Sequence, residues 1–203
     1  MAPTPGHRPR IGVLALQGDV REHVHAVREV GAEPVEVRLP RDLAGLDALI
    51  LPGGESTTMR TLIDRYGLRD PILALAHAGA PMFGTCAGMI LLADRIAEGD
   101  EPVFRLLDVE VRRNAYGRQL DSFEAEVEMP LIGDQPLHGI FIRAPVVTTV
   151  GPGVEVLAVD PDGRPIAVRQ GRVLATAFHP ELTGDRRLHR LLVSMIGAKA
   201  VPG

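Results

Sequence analysis

The chain has 203 residues, 45% hydrophobic and 24% charged, with a formal net charge of -4 at pH 7; that length supports one substantial core. The acidic balance, the absence of a Lys/Arg stripe and the scarcity of aromatic residues exclude a nucleic-acid reader, and no apolar run approaches the ~20 residues of a membrane span. A single cysteine excludes an internal disulfide and fits a reducing compartment, and the proline-rich opening has no apolar stretch that would make it a signal peptide, so a soluble, cytoplasmic protein is expected.

Residues 1–9 read as a mobile tail, residues 10–197 as one domain, and residues 198–203 as a second tail. Residues 11–16 are continuously apolar, the mark of a strand covered on both faces, and predict the central first strand. Gln17 follows, at the edge where a parallel sheet gathers its chemistry; a loop amide satisfying backbone groups is the plain alternative. Asp19, three residues before Glu22, predicts a capping pair for a helix with apolar face Val20, Val24 and Val27, closed by Gly31. Strands are expected at 34–39 and 46–51. The second breaks at Pro52-Gly53-Gly54, an ordinary turn sequence that at a strand end also lets backbone N–H groups approach a reacting oxygen. Met59, Leu62 and Ile63 give helical spacing over 56–66, and a further helical segment covers 72–78.

Cys86 lies in Gly84-Thr85-Cys86-Ala87-Gly88, directly after the apolar run Pro81-Met82-Phe83. In a strand-turn-helix elbow the middle residue is held at a sharp bend with its side chain exposed, and the flanking glycines let the backbones close up. A helix expected from Ala87 to Ile96 would turn its N–H groups toward the sulfur and favour the thiolate. The same sequence also suits a buried structural cysteine.

The second half changes character. Short β-rich runs at 103–113, 123–129, 139–142, 146–150, 154–159, 166–170 and 173–178, with a turn at Pro161-Asp162-Gly163, predict antiparallel additions to the sheet edge. Arg113 and Arg143 end two such runs, where a cation could hold a carboxylate or simply face water. The last run ends at His179-Pro180-Glu181. Residues two apart in extended chain point the same way, so Glu181 can orient the imidazole of His179, which then serves Cys86 as base; a polar loop is the alternative. A closing amphipathic helix is expected over 186–196. His23 and His25 are two apart on a helix, His7 is in the tail, and His77, His138 and His189 have no partner pattern; surface or capping roles are expected, with no metal and no cofactor. The alternation of strands and helices in the first half implies an α/β fold with a mostly parallel, doubly wound sheet.

The elbow and the His-Pro-Glu together resemble the class I, triad-type glutamine amidotransferases. Four stretches resemble one branch of them more closely, the glutaminase subunits of pyridoxal 5′-phosphate synthase: residues 14–23, Leu-Ala-Leu-Gln-Gly-Asp-Val-Arg-Glu-His; residues 51–59, Leu-Pro-Gly-Gly-Glu-Ser-Thr-Thr-Met; residues 113–119, Arg-Asn-Ala-Tyr-Gly-Arg-Gln; and residues 141–145, Phe-Ile-Arg-Ala-Pro. The resemblance runs from about residue 10 to about residue 196. It implies a three-layer, flavodoxin-like sheet and hydrolysis of L-glutamine, with ammonia channelled to a synthase subunit that forms a dodecameric ring decorated by glutaminase subunits. It implies Cys86 as nucleophile, His179 as base and Glu181 as its orienting carboxylate. Gly54, Glu55, Ser56, Arg113, Ile142 and Arg143 match glutamine-contacting positions, and Gln17 a loop residue linked to activation by the partner. The oxyanion formed in acyl transfer needs N–H donors, for which Ala87 and the Gly53-Gly54 turn are the candidates. A glutaminase of another pathway, such as imidazole glycerol phosphate synthesis, a cysteine hydrolase or peptidase, and a silent binding subunit are the rival readings.

Overall fold

The computed structural model describes residues 8–113 and 122–197. Residues 1–7 and 198–203, where tails are expected, and positions 114–119 of the Arg-Asn stretch lie outside the described residues. In chain order the elements are β1 (Arg10–Leu14), α1 (Val20–Glu29), β2 (Glu33–Val37), β3 (Ala48–Leu51), α2 (Ser56–Arg65), α3 (Arg69–His77), β4 (Met82–Thr85), α4 (Ala87–Leu92), β5 (Ala93–Ile96), β6 (Leu107–Arg112), β7 (Ser122–Val127), β8 (Leu137–Ile142), β9 (Val146–Val150), β10 (Glu155–Val159), β11 (Pro165–Gln170), β12 (Val173–Thr176) and α5 (Arg187–Met195), with 3-10 turns at Pro40–Leu43, Pro130–Ile132 and Pro180–Leu182.

The main sheet has seven strands in the order β10-β11-β12-β4-β3-β1-β2. From β12 to β2 all pairings are parallel, while β10 and β11 add antiparallel hairpin strands at the edge. Both faces of β3 and β4 are buried along their whole length, which explains why these strands are continuously apolar and do not alternate. The order of the parallel strands reverses between β1 and β3, and such a reversal opens a crevice at the carboxyl ends of the strands. Register then brings distant sequence together: Thr85, the last residue of β4, pairs with Thr176, the last of β12. Residues 86 and 179 therefore leave the sheet at the same edge.

Three features differ from expectation. The helix expected to run to Ile96 stops at Leu92, because Phe104 and Leu106 donate to the carbonyls of Leu91 and Leu92 at 3.1 and 2.9 Å and end the helical ladder. Residues 93–96 become β5, paired with β6. The β-rich second half adds only β10 and β11 to the main sheet; β5-β6-β9 and β7-β8 form two smaller sheets of their own. At the amino-terminal side, Arg8 donates to the carbonyl of Gly31 at 3.1 Å and Pro9 accepts from the N–H of Glu33 at 2.8 Å, so these two residues of the expected tail are tied to the turn before β2. Among the described residues no helix is long and apolar enough to cross a membrane.

Candidate active site

Cys86 links β4 to α4 with φ 48° and ψ -104°, a conformation that costs a non-glycine residue energy and holds the thiol at a sharp bend. The bend closes because its neighbours lack side chains: a Cβ on Gly88 would lie 2.0 Å from the carbonyl oxygen of Leu51, and one on Gly84 would lie 2.6 Å from the backbone of Gly88. The Cys86 N–H donates to Thr176 at 2.8 Å, locking the elbow to β12, and its Sγ–H donates to the carbonyl of Ile142 at 3.7 Å. α4 has only six residues, so the helix field expected at the sulfur is that of a turn and a half.

His179 follows β12, its N–H donating to Ile140 of β8 at 2.9 Å. Its Nδ1 lies 2.9 Å from Glu181 Oε1 and 3.1 Å from Asp19 Oδ2, so two carboxylates share one ring nitrogen. Burial opposes the charged imidazole, but interactions with Asp19, Cys86 and Glu181 override it and push the His179 pKa up to about 12. Burial alone would raise the carboxyl of Glu181, yet His23 and the hydrogen bond from His179 hold it well below the usual carboxylate range. Nε2 of His179 is buried and makes no hydrogen bond among the described residues, leaving that nitrogen for proton exchange. The backbone behind the ring must be glycine, since a Cβ on Gly53 would lie 2.2 Å from His179 Cε1.

Cys86 and His179 open into one cavity of about 280 Å³, lined also by Gln17, Gly18, Asp19, Gly54, Glu55, Ser56, Ala87, Ile90, Arg113, Ile142 and Arg143. Each sequence-derived candidate lines this space except Gly53, which backs the imidazole, and Glu181, which lies buried beneath it. Gln17 Oε1 accepts from the Glu55 N–H at 2.7 Å and ties the β1–α1 loop to the β3–α2 loop. Glu55 caps α2: its carboxylate accepts from Thr57 N, Thr58 N and Thr58 Oγ1, at 2.9, 2.7 and 2.6 Å. The hydroxyl bond with Thr58 leads, against partial desolvation, in drawing its pKa down to about 2. Arg113 pairs with Asp100, while its buried Nε has no partner among the described residues. Arg143 holds a left-handed φ of 43° just after the carbonyl that receives the thiol.

Sequence reasoning missed three residues here. Asp19 precedes α1, but its side chain makes no cap bond and turns to His179. His23 and His189, expected at the surface, are 0% and 1% exposed. Their rings meet at 3.1 Å (His23 Nδ1 to His189 Nε2), and His23 Nε2 lies 3.1 Å from Thr85 Oγ1 and 3.4 Å from Glu181 Oε1. A signal was present: His23 lies on the stripe of Val20, Val24 and Val27, and His189 beside Leu188 and Leu192, so each stands on an inward face. Among the described residues, Asp19, His179 and Glu181 are the one group of metal-type donors, within 4.8 Å of one another. Both carboxylates are already engaged with Nδ1 of the imidazole.

The profile of the SNO glutamine amidotransferase family matches residues 13–198. The chain is 54% identical to the pyridoxal 5′-phosphate synthase subunit PdxT of Acidothermus cellulolyticus, over 97% of this chain and 98% of that one. It is 57% identical to the protein of the same name from Geobacillus kaustophilus, over 92% and 94%. A solved structure described as a glutamine amidotransferase superposes with a TM-score of 0.87 at 49% identity, covering 93% of this chain and 99% of that one. PurLQS from Thermotoga maritima, at 21% identity and a TM-score of 0.66 over 93% and 99%, shares the fold.

Proposed function

The chain belongs to the SNO glutamine amidotransferase family, and from that membership we propose that it hydrolyses L-glutamine to L-glutamate and ammonia and passes the ammonia to a synthase subunit that makes pyridoxal 5′-phosphate. The names of the relatives at 54% and 57% identity support the pathway. The chemistry is carried by one observation: a cysteine on a strained elbow, φ 48°, opens into the same cavity as an imidazole held at 2.9 Å by a buried carboxylate.

The thiol proton passes to His179, whose raised pKa holds it there as imidazolium, and Cys86 Sγ attacks the carboxamide carbon as the thiolate. The carbonyl oxygen becomes an oxyanion, for which the N–H of Ala87, at the first position of α4, and the Gly53-Gly54 turn are the donors. Collapse breaks the C–N bond as the imidazolium protonates the leaving nitrogen, giving ammonia and a glutamyl thioester. Water, deprotonated by the now neutral His179, attacks the thioester, and glutamate and thiol are regenerated. Arg113 and Arg143 hold the substrate carboxylate; Gly54, Glu55, Ser56 and Ile142 complete its pocket. Gln17, already bonded to the Glu55 N–H, transmits docking of the synthase to this loop. Residues 10–197 act as one amidotransferase domain in the cytoplasm, docked on a dodecameric synthase ring.

Ammonia release from glutamine, measured for the chain alone and with its synthase subunit, tests the proposal. Turnover should rise on addition of the synthase. Cys86→Ala should abolish it while leaving the thermal transition and synthase binding intact, whereas normal turnover in that variant refutes the mechanism.

A further inference from the structure

We infer that His23 is a positioning residue for the triad: its Nε2–H, braced by Thr85 and His189, fixes the buried carboxylate of Glu181 that orients His179. The inference rests on the triad reading above and deepens it. Glu181 sits on a short 3-10 turn, Pro180–Leu182, and its side chain is fully buried. A single turn fixes a carboxylate poorly, so its orientation depends on donors brought by longer elements. Two hydrogen bonds reach Oε1, from His179 Nδ1 at 2.9 Å and Thr85 Oγ1 at 3.3 Å, and His23 Nε2 stands 3.4 Å from the same oxygen while bonded to Thr85 Oγ1 at 3.1 Å. Oε2 has no partner among the described residues, so the whole hold on this dry anion falls on one oxygen.

The proton positions follow from the neighbours. His189 is neutral, because burial, then His23, brings its pKa down to about 3, and its buried Nδ1 has no partner among the described residues. A bare nitrogen lone pair is less costly to leave unpaired than an N–H, so the His189 proton sits on Nε2 and is donated to His23 Nδ1 at 3.1 Å. His23 then carries its own proton on Nε2, facing Glu181 and Thr85. Were His23 charged instead, Nε2 would still be a donor. The remaining tautomer would set a lone pair against the carboxylate in a water-free site. His23 is faced by His189 from α5, by Thr85 and the edge of Phe83 from β4, and by Glu181; Asp185 and Arg186, ahead of α5, act on His189. The bracket thus joins α1, β4 and α5, separated by up to 166 residues, at the one carboxylate that the proposed base requires.

The test compares wild type, His23→Gln and His23→Leu in the full chain with its synthase subunit, measuring kcat and KM for glutamine from about pH 5 to pH 9. A glutamine amide can place an N–H where Nε2–H lies; leucine fills the space without a donor. His23→Leu should lower kcat at least ~30-fold with KM within about threefold, while His23→Gln stays within about fivefold of wild type. A wild-type kcat in His23→Leu overturns the inference, and so does an equal fall in both variants, which would mark a packing role. If His23→Leu shows no thermal transition, Thr85→Val replaces it; removal of another Oε1 donor should then lower kcat at least ~5-fold at constant KM, and an unchanged kcat overturns the inference. Failure of the wild type itself to release ammonia, or full activity in Cys86→Ala, defeats the triad reading and this inference with it; full wild-type activity matched by His23→Leu defeats this inference alone.

Discussion

Nδ1 of His179 is shared by Glu181 at 2.9 Å and Asp19 at 3.1 Å, and the two carboxylates are not equivalent. The Glu181 side chain is fully buried, whereas that of Asp19 is 32% exposed and screened by water. Glu181→Gln should therefore lower kcat for glutamine by roughly 10²- to 10⁴-fold, and Asp19→Asn by about tenfold or less, with neither greatly changing KM. Steady-state ammonia release checks both; an unchanged rate in Glu181→Gln removes it from the triad. The same pair marks what the sequence discloses at this scale. Glu181 is legible because it follows His179 by two residues in a compact motif. Asp19 is not, because its position three residues before Glu22 satisfies a local capping rule while its actual partner is 160 residues away in a different loop. His23 and His189 were hidden for a related reason: a histidine on an apolar helix stripe is read as an exception until another element supplies its partner.

At the level of elements, the site depends on loops that pass closer than a β-carbon allows. Gly53 ends the β3 side of the crevice, and a Cβ there would lie 2.2 Å from Cε1 and 2.7 Å from Nδ1 of His179. Gly53→Ala should displace the ring from both carboxylates and cut glutamine turnover by about 10²-fold or more, a loss of the size expected when a catalytic group is misplaced by an ångström. Iodoacetamide alkylation of Cys86, followed against pH, should slow in parallel, and wild-type kinetics in this variant would mean that the loop yields instead. A contrasting site is Gly31, at φ 83°, where nothing lies within 4 Å of an added Cβ and any cost of alanine is one of backbone conformation. Continuous apolar runs located β1, β3, β4 and β12 to within one or two residues, because burial on both faces leaves that signature. The end of α4 was not legible: residues 87–96 are compatible with one helix, and what stops it is the backbone of Phe104 and Leu106. The small sheets escaped for the same reason, since strand partners are chosen by tertiary contact.

For the whole molecule, these buried groups fix the shape of stability against pH. His189 is lowered from 6.5 to about 3, so between those values the unfolded chain binds a proton that the folded one refuses, and acidification below pH 6.5 destabilises. Each such proton is worth about 1.4 kcal/mol per pH unit. Glu181 is depressed below 4.5; its contribution is present above that pH and fades as acid protonates the unfolded chain first, adding a second proton to the acid limb. His179 works in the opposite sense. Raised from 6.5 to about 12, it stabilises fully below pH 6.5 and loses that contribution as pH climbs toward the folded value. Together the three groups place the stability maximum near pH 6.5, between the limbs. His189→Gln, which can keep an N–H toward His23 but cannot titrate, should flatten the limb between pH 6.5 and 4.5 by one proton while leaving the alkaline limb unchanged. Unfolding free energies from urea titrations at half-unit pH steps measure this directly. A wild-type slope in that variant would mean that His189 does not resist protonation in the fold.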